Sequence, residues 1–353
     1  MIKDLTMPII DGHNDTIKNI FLTKRNFLEK CDNGHVDLIR ACKAGLKCGF
    51  FAILSIAESI KEREFGYGLS LSESGWEVAY PTPLRQEYAE KFTNDLMNYF
   101  FNMIDRTSEI RVIKEFTEFS HNISQNILSV ILHFEGAEAI KENLANLESY
   151  YNKGLRSLGI VWSRSNAFGY GVPFKFPCSP DLGPGLTKAG KELVRQCNEL
   201  GIIVDLAHLN EKGFFDVEKI SKAPLVVSHA AVHSVCNSST NLTDYQIDAI
   251  KDSNGVIGVI FDVLNTRSDG KFIIDTPLSV ITKHIDYIVN RIGIDYVAFG
   301  SDFDGGQIPL EVNDVTGMPK IVNLLKKIGY SVEDIEKIAY KNWLRVIKDT
   351  WRI

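Results

Sequence analysis

The chain has 353 residues, with 39 Lys or Arg against 45 Asp or Glu, a formal net charge of −6. At 44% hydrophobic and 24% charged it can bury a sizeable core, which sets aside disorder and fibrous repeats. The acidic balance and the lack of clustered Lys and Arg exclude a nucleic-acid binder. No window approaches ~18 consecutive apolar residues, so no membrane span is expected.

Six cysteines, Cys31, Cys42, Cys48, Cys178, Cys197 and Cys236, form no C-x-x-C pair. A chain this long and Cys-poor does not read as a disulfide scaffold. The polar N-terminus offers no signal-like apolar stretch, and a cytoplasmic location is the expectation.

Apolar, β-branched runs fall at 8–10, 49–56, 127–132, 155–161, 202–206, 224–227, 256–260 and 296–299. Between them lie stretches with helical spacing, such as 186–200, which Gly201 is placed to cap, and 278–289. Alternating strands and helices give parallel βα units, and eight units give a closed (β/α)8 TIM barrel, one α/β domain over 1–353. An open doubly wound sheet is the alternative, but no G-x-G-x-x-G follows the first strand. Residues 58–84 and 163–185 break the rhythm with Gly, Pro and Ser and are expected to be extended βα loops. In a barrel, loops that follow strands form the face that carries catalysis.

Three H-x-D triplets occur, at His13/Asp15, His35/Asp37 and His284/Asp286. Residues i and i+2 share one face of a strand and diverge on a helix, so only an extended segment presents both to one ion. His284 and Asp286 lie in a helical pattern, and His35–Asp37 leads into another. His13 and Asp15 directly follow the first β-branched run and are the candidate ligand pair. Glu135 ends the third run, His208 follows the fifth, His229 the sixth and Asp302 the eighth. Taken singly, each is an ordinary core or surface group. Six His, Asp or Glu at the C-terminal ends of five strands converge on one axis, where a metal would sit. His133 is expected to be a hydrogen-bonded core histidine, His121 and His233 loop or surface residues, and Tyr340, Trp343 and Trp351 packing residues.

Two imidazoles, an H-x-D pair and a glutamate exceed what one tetrahedral Zn²⁺ needs. Glu135 can bridge a His13/Asp15 site and a His208/His229 site, and two ions ~3.5–4 Å apart hold a bridging hydroxide. Asp302 then orients that hydroxide and shuttles its proton to a leaving amine. The chemistry is metal-assisted hydrolysis, most naturally of an amide. The same donors suit Mn²⁺, Fe²⁺ or Co²⁺.

Several segments together resemble the membrane (renal) dipeptidases, metallopeptidases of the amidohydrolase superfamily. They are DGHND (11–15), GHVDL (34–38), FEG (134–136), GLTKAGKELVRQCNELGIIVDLAH (185–208), VVSHAAVHSVC (226–236), NLTDYQIDAI (241–250), FGSDFDGG (299–306) and GYSVEDIEKIAYKNWLRV (329–346). The resemblance implies a (β/α)8 barrel and two zinc ions, one on His13 and Asp15, one on His208 and His229, with Glu135 bridging and Asp302 as the acid/base. It also implies a small peptide-like substrate and raises a homodimer, for which no surface is legible. Two positions depart from the family pattern. Trp162 stands where the family has a histidine for the substrate carbonyl, and indole is a single neutral donor. Losing such a donor costs roughly 10²–10³ in turnover unless another group substitutes. Thr240, beside Asn241, stands where an arginine grips the C-terminal carboxylate, and a hydroxyl cannot replace that bidentate pair. The family's E-G-G-H is also altered, to Glu135-Gly136-Ala137-Glu138. The expectation is therefore a dipeptidase-type amidohydrolase with altered recognition at Trp162, Thr240 and Asn241. Arg164 and Arg267, in loops, are candidates to supply the missing charge. The alternatives are an ordinary dipeptidase with a relocated clamp, and a silent metal-binding relative.

Overall fold

The computed structural model describes residues 7–59 and 68–351. Twelve strands occur among them: β1 Ile9–Asn14, β2 Leu46–Ile53, β3 Leu69–Ser72, β4 Gly75–Val78, β5 Ile110–Val112, β6 Leu128–Phe134, β7 Leu155–Gly159, β8 Lys175–Phe176, β9 Ile203–Asp205, β10 Val226–Ala230, β11 Val256–Val259 and β12 Val297–Phe299. Eight of them run in parallel in the order β1-β2-β6-β7-β9-β10-β11-β12, with helices between, and β5 is added beside β6. Closure falls to polar contacts. The Asp11 carboxylate accepts from the Ser301 N–H at 2.7 Å, the Asp302 N–H donates to the His13 carbonyl at 3.1 Å, and the Asp15 N–H to that of Phe303 at 2.8 Å. This is the expected (β/α)8 barrel.

Side-chain alternation along the strands sorts the core into two layers. Ile9, Phe51, Val130, Leu132, Val204, Val227, Ile257 and Phe299 pack with the surrounding helices. Their neighbours Ile10, Phe50, Ile131, Ile203, Val226, Val256 and Ala298 pack with Trp343, Val346 and Ile347 of the C-terminal helix Asn342–Thr350. Trp343 lies 4.8 Å from Phe50, ring to ring, and its indole N–H donates to the Phe299 carbonyl at 2.9 Å. A Cβ on Gly12 would fall 2.2 Å from the Trp343 ring, so this strand position must be bare. Trp343 and Trp351 thus pack as expected. All six cysteines are free.

Helix ends follow local chemistry. Thr187 accepts from the Gly190 N–H at 3.0 Å to open Lys188–Leu200, and Gly201 closes it in the left-handed conformation at φ 74°.

The two irregular regions are not plain loops. β3 and β4 form a hairpin, and β8, from the 163–185 region, pairs with β4. The remainder of the 58–84 region includes residues 60–67, which lie outside the described residues. Leu69 and Leu71 alternate with Ser70 and Ser72, a period-2 signal too short to stand out from its Gly- and Ser-rich surroundings.

Candidate metal centre

β1 carries His13, and Asp15 directly follows it. β6 ends one residue before Glu135, His229 lies in β10, and His208 and Asp302 stand three residues beyond β9 and β12. Parallel strands leave all their C-terminal ends at one mouth, and these six side chains meet there. Their donor atoms form three overlapping groups, His13/Asp15/Glu135, Glu135/His208/His229 and His13/His229/Asp302, with atoms within 4.8 Å of one another in each. Glu135 Oε1 lies 3.1 Å from His208 Nε2, 3.7 Å from His229 Nε2 and 3.8 Å from His13 Nε2. His13 Nε2 is 3.8 Å from Asp302 Oδ1. The Nε2 atoms of His208 and His229 face each other at 2.9 Å.

Neighbouring hydroxyls orient the imidazoles. Ser228 Oγ donates to Asp205 Oδ2 at 2.6 Å, so it accepts from His229 Nδ1, 2.8 Å away, and the His229 Nε2 lone pair turns to the centre. Ser163 Oγ lies 2.9 Å from His208 Nδ1 and holds that ring in place. His133, as expected, is a buried core group, with Nδ1 2.9 Å from Ser157 Oγ and Nε2 3.5 Å from Asp205.

The electrostatics suit a cation. Burial holds His13 well below the ordinary imidazole range and lowers His229 to about 3, keeping both neutral as donors. Burial raises Asp15 to about 6 against the pull of Lys18. Burial, with Asp15 and Glu135 close by, raises Asp302 well above the usual carboxylate range. For Glu135 burial works upward, but the surrounding histidines, His13 first, outweigh it and hold the carboxyl low. Both His13 ring nitrogens, Asp15 Oδ1 and Glu135 Oε2 are buried without a hydrogen-bond partner. Orphaned acceptors at this density fit one or two divalent cations.

His208 and Asp302 adopt φ of 62° and 61°, the left-handed region that residues with a Cβ rarely enter. Such strain concentrates where a side chain must be aimed.

Other candidates fall elsewhere. Asp37 caps the helix Leu38–Ala44 by accepting from the Arg40 N–H, and His284 and Asp286 lie in the helix Ser279–Ile292. His121 is exposed, and His233 Nε2 sits 3.0 Å from the Cys178 carbonyl. The Trp162 ring lies 6.2 Å from that of His208. Thr240 Oγ1 donates to Asn265 Oδ1 at 2.8 Å. Asn241 is buried and committed internally, donating to the Cys236 and Asn265 carbonyls and accepting from the Ala231 N–H. Arg164 lines a cavity that opens beside the centre, yet it is buried and its Nε donates to Glu138 Oε1 at 2.9 Å. Arg267 is held by Asp269 at 2.6 Å. Sequence reasoning passed over Lys18, whose Nζ is 2.5 Å from Asp15 Oδ2. Its i,i+3 spacing from Asp15 at a helix start was the available signal.

The sequence profile of the membrane dipeptidases (peptidase family M19) matches residues 4–353. The chain belongs to this family. The fold agrees with that of a metallo peptidase from Rhodobacter sphaeroides, crystallised with a phosphinate mimic of the dipeptide L-Ala-D-Ala, at a TM-score of 0.94. The two are 38% identical, and the alignment covers 98% of this chain and 100% of that one. A protein in the pqqA 5′ region of Klebsiella pneumoniae is 45% identical over 226 residues, 64% of this chain and 83% of its own length. The dipeptidase aclJ of Aspergillus oryzae is 26% identical over 353 residues, 97% and 78% of the two lengths. As a membrane dipeptidase family member the chain is a metallo-dipeptidase, a hydrolase of small peptides that depends on a metal ion. Among the described residues no helix is long and apolar enough to cross a membrane.

Proposed function

We propose that this chain hydrolyses a dipeptide-like amide at a centre of two divalent cations, zinc by the donor chemistry, with recognition that does not rest on a carboxylate-gripping arginine. His13 and Asp15 hold one ion, His208 and His229 the other, and Glu135 lies between. When bound, the ions polarise the scissile carbonyl and make water nucleophilic at neutral pH. Asp302, which burial and its acidic neighbours make a good proton acceptor, takes the proton from the attacking water and passes it to the leaving amine. The density of unpartnered buried donors around Glu135 is the observation that carries this reading.

Trp162 and Thr240 stand at the two positions where family recognition residues are expected. The Thr240 hydroxyl is already given to Asn265, and Arg164 and Arg267 are given to Glu138 and Asp269. One observation favours a second reading, an ordinary dipeptidase with a relocated clamp. Lys18 lines the adjoining cavity at the edge of the centre, and its ammonium, though paired with Asp15, keeps two further N–H donors with which to meet a substrate carboxylate.

Metal-loaded protein is assayed on free L,L- and L,D-dipeptides and their C-terminal amides, with Asp302→Asn and Lys18→Met alongside. Asp302→Asn should lose about 10²–10⁴ in kcat with its metal content kept. Near-normal turnover would remove Asp302 from its role. Amides cleaved as well as free dipeptides support the altered recognition. A strong preference for free dipeptides, lost in Lys18→Met, establishes the relocated clamp instead.

A further inference from the structure

Beside the centre opens a cavity of about 890 Å³, near the top of the ~300–1,000 Å³ range that takes drug-sized ligands. Its walls are largely apolar. Leu69, Leu71 and Trp76 come from the β3–β4 hairpin, Trp162 and Phe174 from the segment between β7 and β8, and Phe272 from the segment after β11. The cavity adjoins the centre, for Lys18 belongs to its lining and also touches Asp15. The Phe174 ring lies 5.8 Å from that of His208. Of its five charged lining groups, Arg164, Asp269 and Lys18 are paired with Glu138, Arg267 and Asp15, and Glu73 and Lys271 complete the set.

Two backbone-sized residues would leave most of this space as water against apolar walls, the contact that the hydrophobic effect disfavours. The mouth has the same character. Leu71 is 73% exposed, Phe272 42% and Leu69 38%, on two chain segments far apart in sequence that meet at one opening. Single exposed apolar residues need no explanation, but a group of them rimming a cavity marks a surface meant to be covered.

Building on the hydrolytic reading above, we infer that the substrate is a dipeptide-like amide in which one residue beside the scissile bond carries a large apolar side chain, aromatic or branched aliphatic. That side chain fills the cavity beneath the hairpin. Specificity then lies in Leu69, Leu71, Trp76 and Phe272, residues that touch neither the cations nor the reacting atoms.

The test uses metal-loaded protein and two matched series. In the first, one residue of a common dipeptide amide is varied through Ala, Leu, Phe and naphthylalanine, at each position in turn. At one position kcat/KM should rise at least about tenfold from Ala to Phe, the scale of apolar-pocket discrimination. In Leu71→Asp and Phe272→Asp that ratio should shrink to about threefold or less. Tyr245→Asp, on an exposed helix surface elsewhere, should leave it intact. In the second series, calorimetry compares phosphinate analogues bearing Ala or Phe, which bind without turnover. The Phe analogue should bind at least about tenfold tighter. Equal Kd values, or a flat kinetic series with alanine substrates cleaved, overturn the apolar-substrate inference and leave the hydrolytic reading standing. No turnover of any amide, with the Phe analogue still preferred, overturns the hydrolytic reading and keeps the cavity assignment.

Discussion

Replacing Arg164 by Met separates a structural role from a substrate-gripping one. The methionine keeps most of the apolar stem but removes the charge. Arg164 is 1% exposed, its Nε donates to Glu138 at 2.9 Å, its Nη2 donates to the Ser55 carbonyl, and its guanidinium lies 5.0 Å from the Trp162 ring. Glu138 is itself 5% exposed, so the substitution strands a buried carboxylate, an event that costs about 3–5 kcal/mol. The Ser55 carbonyl also loses a donor. With an unfolding entropy of roughly 2.1 cal/mol/K per residue, a loss of about 4 kcal/mol lowers Tm by about 5 °C in a chain of this length. Arg164→Met with Glu138→Leu should recover at least half of that loss, because both charges leave together. Calorimetric unfolding of the two variants, with KM for free dipeptides and their amides, decides the matter. A Tm within 1 °C of wild type, with KM raised for free dipeptides alone, would refute the reasoning and make Arg164 the carboxylate clamp.

Two further expectations follow from hydrogen bonds. The buried His284 ring accepts from the Val232 N–H at 3.1 Å and donates to the Thr266 carbonyl at 2.9 Å, and burial lowers its pKa to about 4. Between pH 6.5 and 4 the unfolded chain binds this proton and the folded chain does not, so stability rises with pH, by about 3 kcal/mol over the window. Denaturant unfolding of His284→Leu should show that part of the pH dependence lost, so its deficit against wild type is smaller at pH 4.5 than at pH 7; an equal deficit counts against the assignment. Ser228→Ala unhooks His229 from Asp205 and should weaken metal binding about 10–100-fold. That change is read as metal lost at lower chelator concentration and a smaller Tm rise on reloading, and an unchanged chelator titration would contradict it.

The barrel was legible because its strands are apolar on both faces, and the centre because the ligand types recur at strand ends. The strand limits were less so. The first apolar run stops at Ile10, whereas β1 continues to Asn14, and β10 continues past Val227 to Ala230. Both extensions are mostly polar, with Asp11 held by barrel closure and Ser228 by Asp205 rather than by hydrophobic contact. The pairing of Arg164 with Glu138 joins two loops 26 positions apart and leaves no local pattern. The same is true of the β4–β8 pairing, which joins two irregular segments that both contribute lining residues to the cavity. Lys18 carried a local signal, but its meaning depends on the unpartnered carboxylates around it.

The left-handed backbone at His208 and Asp302 means that durability and chemistry pull these positions in opposite directions. Each side chain there costs roughly 1–2 kcal/mol in backbone conformation that a glycine would relieve. At Asp302, glycine would also remove a carboxylate that its surroundings push towards protonation. A screen for thermal resistance alone would accordingly enrich glycine at 302 and return a sturdier barrel that no longer turns over. Such a variant has a practical use. It keeps the ligand set and the cavity, and can hold an intact substrate long enough for the substrate to be identified.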